Sequence, residues 1–209
     1  MYTISLFYYP ILIICSYCVL SHCLDPGSFN AVLDVDGQEL RAAAKYYMLP
    51  AFHSKGNGGG LALSSRDGSC PHNVMQENHA QSNGHPVKLF PVNKLDVNIR
   101  LSSDVNIVFH AATTCVQATG WRMGGVDAIT GRRYVKSGAL IGHPGASTVS
   151  NWFKVEKNEH GDGYKIIFCP SVCSFCKVVC GDVRAFDENG KKWLGLSDGS
   201  PLIVDFRKI

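Results

Sequence analysis

The sequence predicts an all-β protein. After the first 23 residues, no stretch sustains the 3.6-residue apolar period of an amphipathic helix. Short runs that alternate apolar and polar residues, or that are rich in β-branched and aromatic residues, recur instead between clusters of Gly, Pro, Asn and Asp. We therefore expect a series of short strands joined by turns.

Twelve strands are expected, and each combines aromatic, aliphatic or β-branched residues between turn-forming ones. The series opens with the run Tyr-Tyr-Met-Leu-Pro-Ala-Phe. The first six strands have approximate limits of 46–52, 60–65, 73–77, 86–91, 105–110 and 119–123. The other six are expected at about 133–137, 151–156, 163–169, 182–186, 192–196 and 201–206.

A faint internal repeat accompanies these strands. Gly-led turns at Gly59, Gly131 and Gly190 each lead into a similar strand. Three copies suggest threefold pseudosymmetry, because a recurring segment is typical of repeated structural units. Closing such strands into a barrel would remove the exposed sheet edges that an all-β domain must protect.

The first 23 residues form an apolar segment that ends in small residues. It contains no Lys or Arg, and Pro10 interrupts it. We interpret this segment as a secretory signal peptide, which leaves residues 24–209 as a single domain. A membrane anchor or a buried helix is the alternative, but the run is short for a membrane span. The protein is therefore expected to be secreted, either to the cell exterior or to a vacuole.

Cysteine chemistry depends on that compartment. Four of the nine cysteines lie close together at Cys169, Cys173, Cys176 and Cys180. Four thiolates so close could hold zinc or an iron–sulfur cluster, or could oxidise to two nested disulfides. The spacing lacks the long loop of a zinc ribbon and does not match ferredoxin runs, so the secretory context favours disulfides. Six cysteines remain after residue 23, and their number alone permits 15 pairings.

Charge and residue clusters exclude several function classes. The formal net charge is +3 and there is no block of Lys or Arg, so neither nucleic acid nor an anionic membrane is an expected partner. Asp34 and Asp36 lie close in sequence, but no Ser/His/Asp or Cys/His set accompanies them, and we expect neither enzymatic activity nor a cofactor. Trp121, Trp152 and Trp193 fall within expected strands and are assigned to core packing.

Separate motifs along the chain carry a resemblance to a known family. The run Val-Leu-Asp-Val-Asp-Gly-Gln-Glu-Leu at Val32–Leu40 is followed by Tyr46, Tyr47 and Met48. The other matching segments are Gly58–Leu61, Pro86–Val87, Ser103–Phe109, Trp121–Arg122, Pro144–Gly145, Trp152–Val155, the cysteine stretch and Pro201–Val204. In this order they resemble the Kunitz-type soybean trypsin inhibitor family, and within it the miraculin-like branch.

The resemblance implies a fold and a set of disulfides. The implied fold is a β-trefoil, in which six strands form a short barrel and three hairpins cap it, in agreement with twelve strands and a threefold repeat. The implied disulfides join Cys70 to Cys115, Cys169 to Cys180, and Cys173 to Cys176. A zinc site assembled from Cys70, His72, His79 and His85 is then not expected, because Cys70 is used in a disulfide.

The resemblance also implies inhibition of serine proteases by a substrate-like loop. The matching position is the segment 92–101, between two expected strands. Trypsin-like enzymes bind a long cation against a buried Asp in their specificity pocket. Lys94 is the candidate cation, with Leu95 after the scissile bond, although Leu95 or Arg100 could occupy the primary position instead. The reactive loop is therefore expected to consist of Asn93, Lys94, Leu95 and Asp96.

Other functions on the same scaffold remain open. Lys94 could be a solvated loop cation without a partner. The target could instead be a cysteine or aspartic protease, a receptor or a carbohydrate, or the protein could serve in storage, defence or taste modification. The preferred hypothesis is a secreted, monomeric inhibitor of trypsin-like proteases that binds no metal.

Overall fold

The computed structural model describes residues 30–51, 58–68, 70–115 and 118–209, so the expected signal peptide lies outside the described residues. It confirms an all-β architecture of twelve strands. The first six are β1 (Tyr46–Pro50), β2 (Leu61–Ser64), β3 (Asn73–Gln76), β4 (Val87–Pro91), β5 (Val105–Phe109) and β6 (Gly120–Val126). The others are β7 (Arg133–Ala139), β8 (Lys154–Lys157), β9 (Tyr164–Phe168), β10 (Gly181–Glu188), β11 (Lys191–Ser197) and β12 (Ile203–Lys208).

Six of these strands close into a barrel. β1 pairs with both β4 and β12, β4 pairs with β5, and β9 pairs with both β8 and β12. The remaining gap, between β5 and β8, is closed by two backbone hydrogen bonds between Val105 and Phe153, of 2.8 and 3.0 Å. Because every one of these strands has two neighbours, the barrel leaves no open edge.

Three hairpins cap the barrel: β2–β3, β6–β7 and β10–β11. Their inner strands also pair with one another, since Asn73 of β3 lies opposite Lys136 of β7, Tyr134 of β7 opposite Gly195 of β11, and β11 pairs back to β3. This closed triangle gives the molecule its pseudo-threefold symmetry. The fold is a β-trefoil, as expected.

The core is built from two groups of buried side chains. Trp121 is fully buried and lies between Phe109, at a ring distance of 5.6 Å, and Phe153, at 5.9 Å. A smaller cluster unites the three hairpins and consists of Ala62, Met75, Tyr134 and Trp193. Trp152 is also fully buried. The assignment of the three tryptophans to the interior is confirmed.

A charged network joins the turns of the same three hairpins. The guanidinium of Arg66, after β2, contacts Asp127 at 2.8 Å in the β6–β7 turn and Glu188 at 3.0 Å at the end of β10. Arg132 adds a second contact to Glu188, at 2.9 Å. Arg66 therefore links the turns of all three hairpins.

The network changes the acidity of both carboxylates. A backbone N–H of Thr130, followed by the Arg66 guanidinium, holds the pKa of Asp127 far below its ordinary value. Burial acts to raise the pKa of Glu188, but hydrogen bonds from Tyr134 and Arg66 outweigh it, so this pKa also lies below its ordinary value. Asp127 therefore stays ionised well into the acid range, and Glu188 stays ionised to a lower pH than an ordinary glutamate.

The strand limits agree with the expected ones to within a few residues, apart from the segment around residue 151. A strand was expected at 151–156, but Ala146–Asn151 form a 3-10 helix and β8 begins only at Lys154. Thr148 stabilises this helical turn by donating its hydroxyl to the carbonyl of His143. No helix among the described residues is long and apolar enough to cross a membrane.

Three disulfides join the pairs that the resemblance implied. The sulfur–sulfur distances are 2.05 Å for Cys70 and Cys115, 2.02 Å for Cys169 and Cys180, and 2.01 Å for Cys173 and Cys176. The first bond ties the segment before β3 to the loop after β5, and the other two constrain the connection between β9 and β10. All six cysteines of the described region are therefore paired.

Candidate functional site

The candidate reactive loop connects β4 to β5 at one end of the barrel. Its base is closed by the backbone N–H of Val92, which donates to the carbonyl of Asp104 at 2.8 Å. Asp104 is itself buried, and its carboxylate accepts hydrogen bonds from the Ser171 hydroxyl at 2.6 Å and from the Ser171 backbone N–H at 3.0 Å. The loop base is thus fixed both to β5 and to the cysteine-rich connection.

The second half of the loop is held by the segment that precedes β1. Ile99 is fully buried, and its N–H donates to Leu40 at 2.7 Å while its carbonyl accepts from Val32 at 2.9 Å. The carbonyl of Val97 accepts from the N–H of Ala42 at 2.9 Å. Residues 97–100 are therefore held against the rest of the domain, because backbone groups of Val97 and Ile99 are hydrogen-bonded to the segment before β1 and the Ile99 side chain is buried in the core.

The tip of the loop is a closed turn over Asn93–Asp96. The N–H of Asp96 donates to the carbonyl of Asn93 at 3.1 Å, and the N–H of Leu95 donates to the Asn93 side-chain oxygen at 3.2 Å. The Asn93 amide also donates to the Asp96 carboxylate at 2.9 Å. Asn at the first position of a turn commonly makes such bonds to its own backbone. Lys94 and Leu95 therefore occupy the two central turn positions.

Both central side chains are exposed to solvent. Lys94 is exposed, and Leu95 is 88% exposed. Arg100, the other basic candidate, is also exposed, but its backbone lies in the braced part, where it forms a β-bridge with Ala31. The structure therefore brings the four expected residues Asn93, Lys94, Leu95 and Asp96 together at the tip and separates Arg100 from them.

Two buried polar residues that the sequence interpretation did not single out support this end of the barrel. Asn106 is 1% exposed, accepts the N–H of Gly142 at 2.8 Å, and donates to the carbonyl of Asn151 at 2.9 Å. Asp104 holds the loop base as described. Asn106 falls within the strand expected at 105–110 and Asp104 lies directly before it, and only their polarity beside apolar residues (Asp-Val-Asn-Ile-Val-Phe) could have marked them.

The other sequence candidates have structural roles. Among the described residues, the sulfurs of Cys70 and Cys115 lie beside His72, but they are bonded to each other and are not available as thiolate ligands. The Asp34 carboxylate is buried and accepts the N–H groups of Asp36 at 3.1 Å and Gln38 at 2.9 Å, which shapes the turn before β1.

Comparison with protein families gives a match over nearly the whole described chain. The profile of the legume Kunitz group, described as "Trypsin and protease inhibitor", matches residues 32–208. Kunitz trypsin inhibitor 5 of Arabidopsis thaliana is 39% identical over 183 residues, which cover 87% of each chain. Miraculin of Synsepalum dulcificum is 38% identical over 184 residues, which cover 86% of this chain and 83% of miraculin.

Comparison with solved structures agrees with the sequence relatives. The rice (Oryza sativa) bifunctional α-amylase/subtilisin inhibitor superimposes with a TM-score of 0.68 at 38% sequence identity. The match covers 86% of this chain and 99% of the rice protein. The fold and the sequence therefore point to the same relatives.

Proposed function

Because the chain belongs to the Kunitz family of trypsin and protease inhibitors, we propose that it inhibits trypsin-like serine endopeptidases through the turn Asn93–Asp96. Lys94 is the residue that enters the specificity pocket, and Leu95 follows the scissile bond. The observation that carries this proposal is the exposed Lys94 at the tip of a loop whose base and second half are fixed by backbone hydrogen bonds. The protein acts as a ligand of proteases and is not itself an enzyme.

Fixing the loop before binding favours tight binding. A flexible peptide must lose conformational entropy when it docks, at about 0.5–1.5 kcal/mol for each side chain that becomes immobile. Here the anchors at Val92 and Val97 already restrict the intervening residues. The loop therefore loses less entropy on docking than a free peptide of the same sequence.

The same anchors favour religation over release after cleavage. A cut between Lys94 and Leu95 would place the acyl end two residues from Val92 and the new amine two residues from Val97. Val92 is bonded to Asp104 and Val97 to Ala42, so both ends remain close to each other. A retained amine can attack the acyl-enzyme at a high effective concentration, which restores the peptide bond and slows net hydrolysis.

The tip must open for this chemistry to occur. Proteases bind the peptide around the scissile bond in an extended form, whereas Asn93–Asp96 are closed by three hydrogen bonds. Exposed hydrogen bonds of this kind contribute about 0.5–1.5 kcal/mol each. Opening all three therefore costs about 1.5–4.5 kcal/mol in total, which is comparable to the contribution of an inserted cation, so the other contacts of the interface must offset this cost.

The test is a Lys94→Ala variant assayed against purified trypsin. An anchor side chain inserted in a specificity pocket costs at least about 2 kcal/mol when truncated, which exceeds a tenfold loss in affinity, whereas an exposed lysine without a partner contributes under about 1 kcal/mol. We expect Lys94→Ala to lose most inhibition with an unchanged melting temperature. Arg100→Ala is the matched control, and it should inhibit as well as the wild type.

Two outcomes would contradict this assignment. Full inhibition by Lys94→Ala would show that the primary residue lies elsewhere in the loop. A wild-type chain that inhibits none of a panel of trypsin-like, chymotrypsin-like and subtilisin-like enzymes would reject serine protease inhibition altogether.

A second candidate function keeps the scaffold and changes the target. The closed turn at Asn93–Asp96 is its supporting observation, because a tip that stays closed cannot present an extended scissile peptide. The chain is also 38% identical to miraculin, whose name does not refer to trypsin inhibition. Binding of cysteine or aspartic proteases, or a defence, storage or taste-modifying role, follows if the serine protease panel is negative.

We also propose that the protein reaches its target as a secreted monomer after removal of residues 1–23. Complete pairing of the six cysteines in the described region supports an oxidising compartment, since disulfides are rare in reducing ones. Mass spectrometry of the protein purified from its source would give the mature N-terminus.

A further inference from the structure

A second surface segment lies against the tip of the candidate reactive loop. It is the connection after β7, residues 140–145, which we name the ledge. The Cε and Nζ atoms of Lys94 lie 3.7 and 3.9 Å from the position that a β-carbon on Gly142 would occupy. Gly142 has a φ of +74°, a conformation that favours glycine, so the backbone here approaches Lys94 without a side chain between them.

The ledge is held rigidly from below by buried amides. Asn106 accepts the N–H of Gly142 at 2.8 Å, and Asn151 donates its amide to the carbonyl of Leu140 at 2.9 Å. Asn106 also donates to the carbonyl of Asn151, which links the two amides to each other. Both ends of the Leu140–Gly142 stretch are therefore fixed by residues that are less than 10% exposed.

The ledge presents aliphatic side chains to solvent. Leu140 is 67% exposed and Ile141 is 37% exposed. On the reactive loop itself, Leu95 and Val97 are 88% and 63% exposed. Exposed aliphatic side chains therefore occur both on the loop that carries Lys94 and on the segment whose Gly142 lies beside Lys94.

We infer that the ledge is a second contact segment for the protease that binds Lys94, and that Leu140 and Ile141 help to determine which proteases are inhibited. This inference rests on the proposed function. A central anchor surrounded by residues that exclude water is typical of protein–protein hot spots. An enzyme surface large enough to enclose Lys94 would cover the ledge as well, because a standard interface buries about 800 Å² on each partner.

The fixed backbone of the ledge also supports its role as a contact segment. Exposed aliphatic residues on a mobile loop would lose entropy on docking, which would offset their burial. Leu140 and Ile141 belong to a stretch whose backbone is already fixed, so the burial of their side chains contributes directly to affinity.

The test compares two double variants that remove the same type of side chain. Leu140→Ser with Ile141→Ser alters the ledge. Val126→Ser with Ile129→Ser alters exposed aliphatic residues, 59% and 94% exposed, at the other end of the same β6–β7 hairpin. A strand of β7's length separates the two sites by about 20 Å. Inhibition constants are measured against the serine protease that the wild type inhibits best.

We expect the ledge variant to bind at least about tenfold more weakly, mainly through faster dissociation, and the hairpin variant to bind within about twofold of the wild type. The single Leu140→Ser variant repeats the test at the more exposed position, where loss of folding is not a concern. Equal inhibition by wild type and ledge variant would overturn the inference while leaving Lys94 in place. Absence of any serine protease inhibition by the wild type would overturn the inference together with the proposed function.

Discussion

The anchoring of the reactive loop by Ile99 leads to a test that separates stability from inhibition. Ile99 and Ile107 are both fully buried in the main core. Ile99, however, belongs to the braced half of the reactive loop, whereas Ile107 lies in the middle of β5. Substituting each by alanine removes the same atoms from the same core at two different places in the chain.

The effect on stability should be similar for the two variants. Truncating a buried isoleucine to alanine costs about 2–5 kcal/mol, through lost burial and the cavity that remains. For a domain of this size, a loss of about 3 kcal/mol corresponds to a decrease in melting temperature of about 6–12 °C. Both proteins should therefore remain folded at assay temperature but melt earlier than the wild type.

The effect on inhibition should differ. Without the Ile99 side chain in the core, only backbone hydrogen bonds hold residues 97–100, so the loop is less ordered before it docks and loses more entropy on docking. An ordering cost of about 1–1.5 kcal/mol corresponds to roughly a tenfold weaker inhibition constant. Ile99→Ala should show this loss, and Ile107→Ala should inhibit like the wild type once corrected for its folded fraction.

Thermal unfolding and trypsin titration on the same samples give both quantities. The reasoning would be refuted if both variants lost inhibition equally, because the loss would then follow global stability. It would also be refuted if Ile99→Ala inhibited normally at reduced stability, because loop order would then not depend on this side chain.

Four further predictions concern other parts of the molecule. The pKa values of Asp127 and Glu188 are depressed in the folded protein, so the ionised carboxylates stabilise it above the ordinary carboxylate pKa, and this stabilisation is lost as the pH falls below about 4. The melting temperatures of the wild type and of Glu188→Gln should therefore converge on acidification. Asp34→Ala should lower the free energy of unfolding in urea by about 1–3 kcal/mol, while Asp34→Asn, which keeps an acceptor for the two N–H groups, should lower it less. Lys94→Leu should shift inhibition from trypsin toward chymotrypsin-like enzymes in paired assays. A chain that begins after residue 23 should show no free thiol on titration in denaturant, and a free thiol would contradict full pairing.

The strands could be predicted from sequence because their pattern is local. Alternating or β-rich runs between turn residues identify the twelve strands to within a few residues. The 3-10 helix at Ala146–Asn151 could not be predicted in this way, since Ala-Ser-Thr-Val-Ser-Asn has no helical apolar period and its side chains favour turns. Its helical form depends on the Thr148 bond to His143 and on packing against β6.

The candidate site was predictable only in part. The exposed turn at Asn93–Asp96 follows from its position between strands and from the preference of Asn and Asp for turns. Its support comes from long-range contacts, such as Leu40 to Ile99 and Asn106 to Gly142, which no local pattern encodes. The sequence therefore identifies the exposed residues of the turn, whereas the structure is needed to identify the residues that hold the turn in place.

The disulfide between Cys70 and Cys115 determines what happens to a molecule that a protease has cut at the tip. Cys70 precedes the Lys94–Leu95 bond and Cys115 follows it, so the two fragments of a nicked chain remain one covalent molecule. The fragments also share the barrel, since β4 and β5 contribute to it from opposite sides of the cut. A single cut at the tip therefore breaks one peptide bond without separating the two fragments. A reducing gel shows such a molecule as two bands, and a non-reducing gel shows it as one.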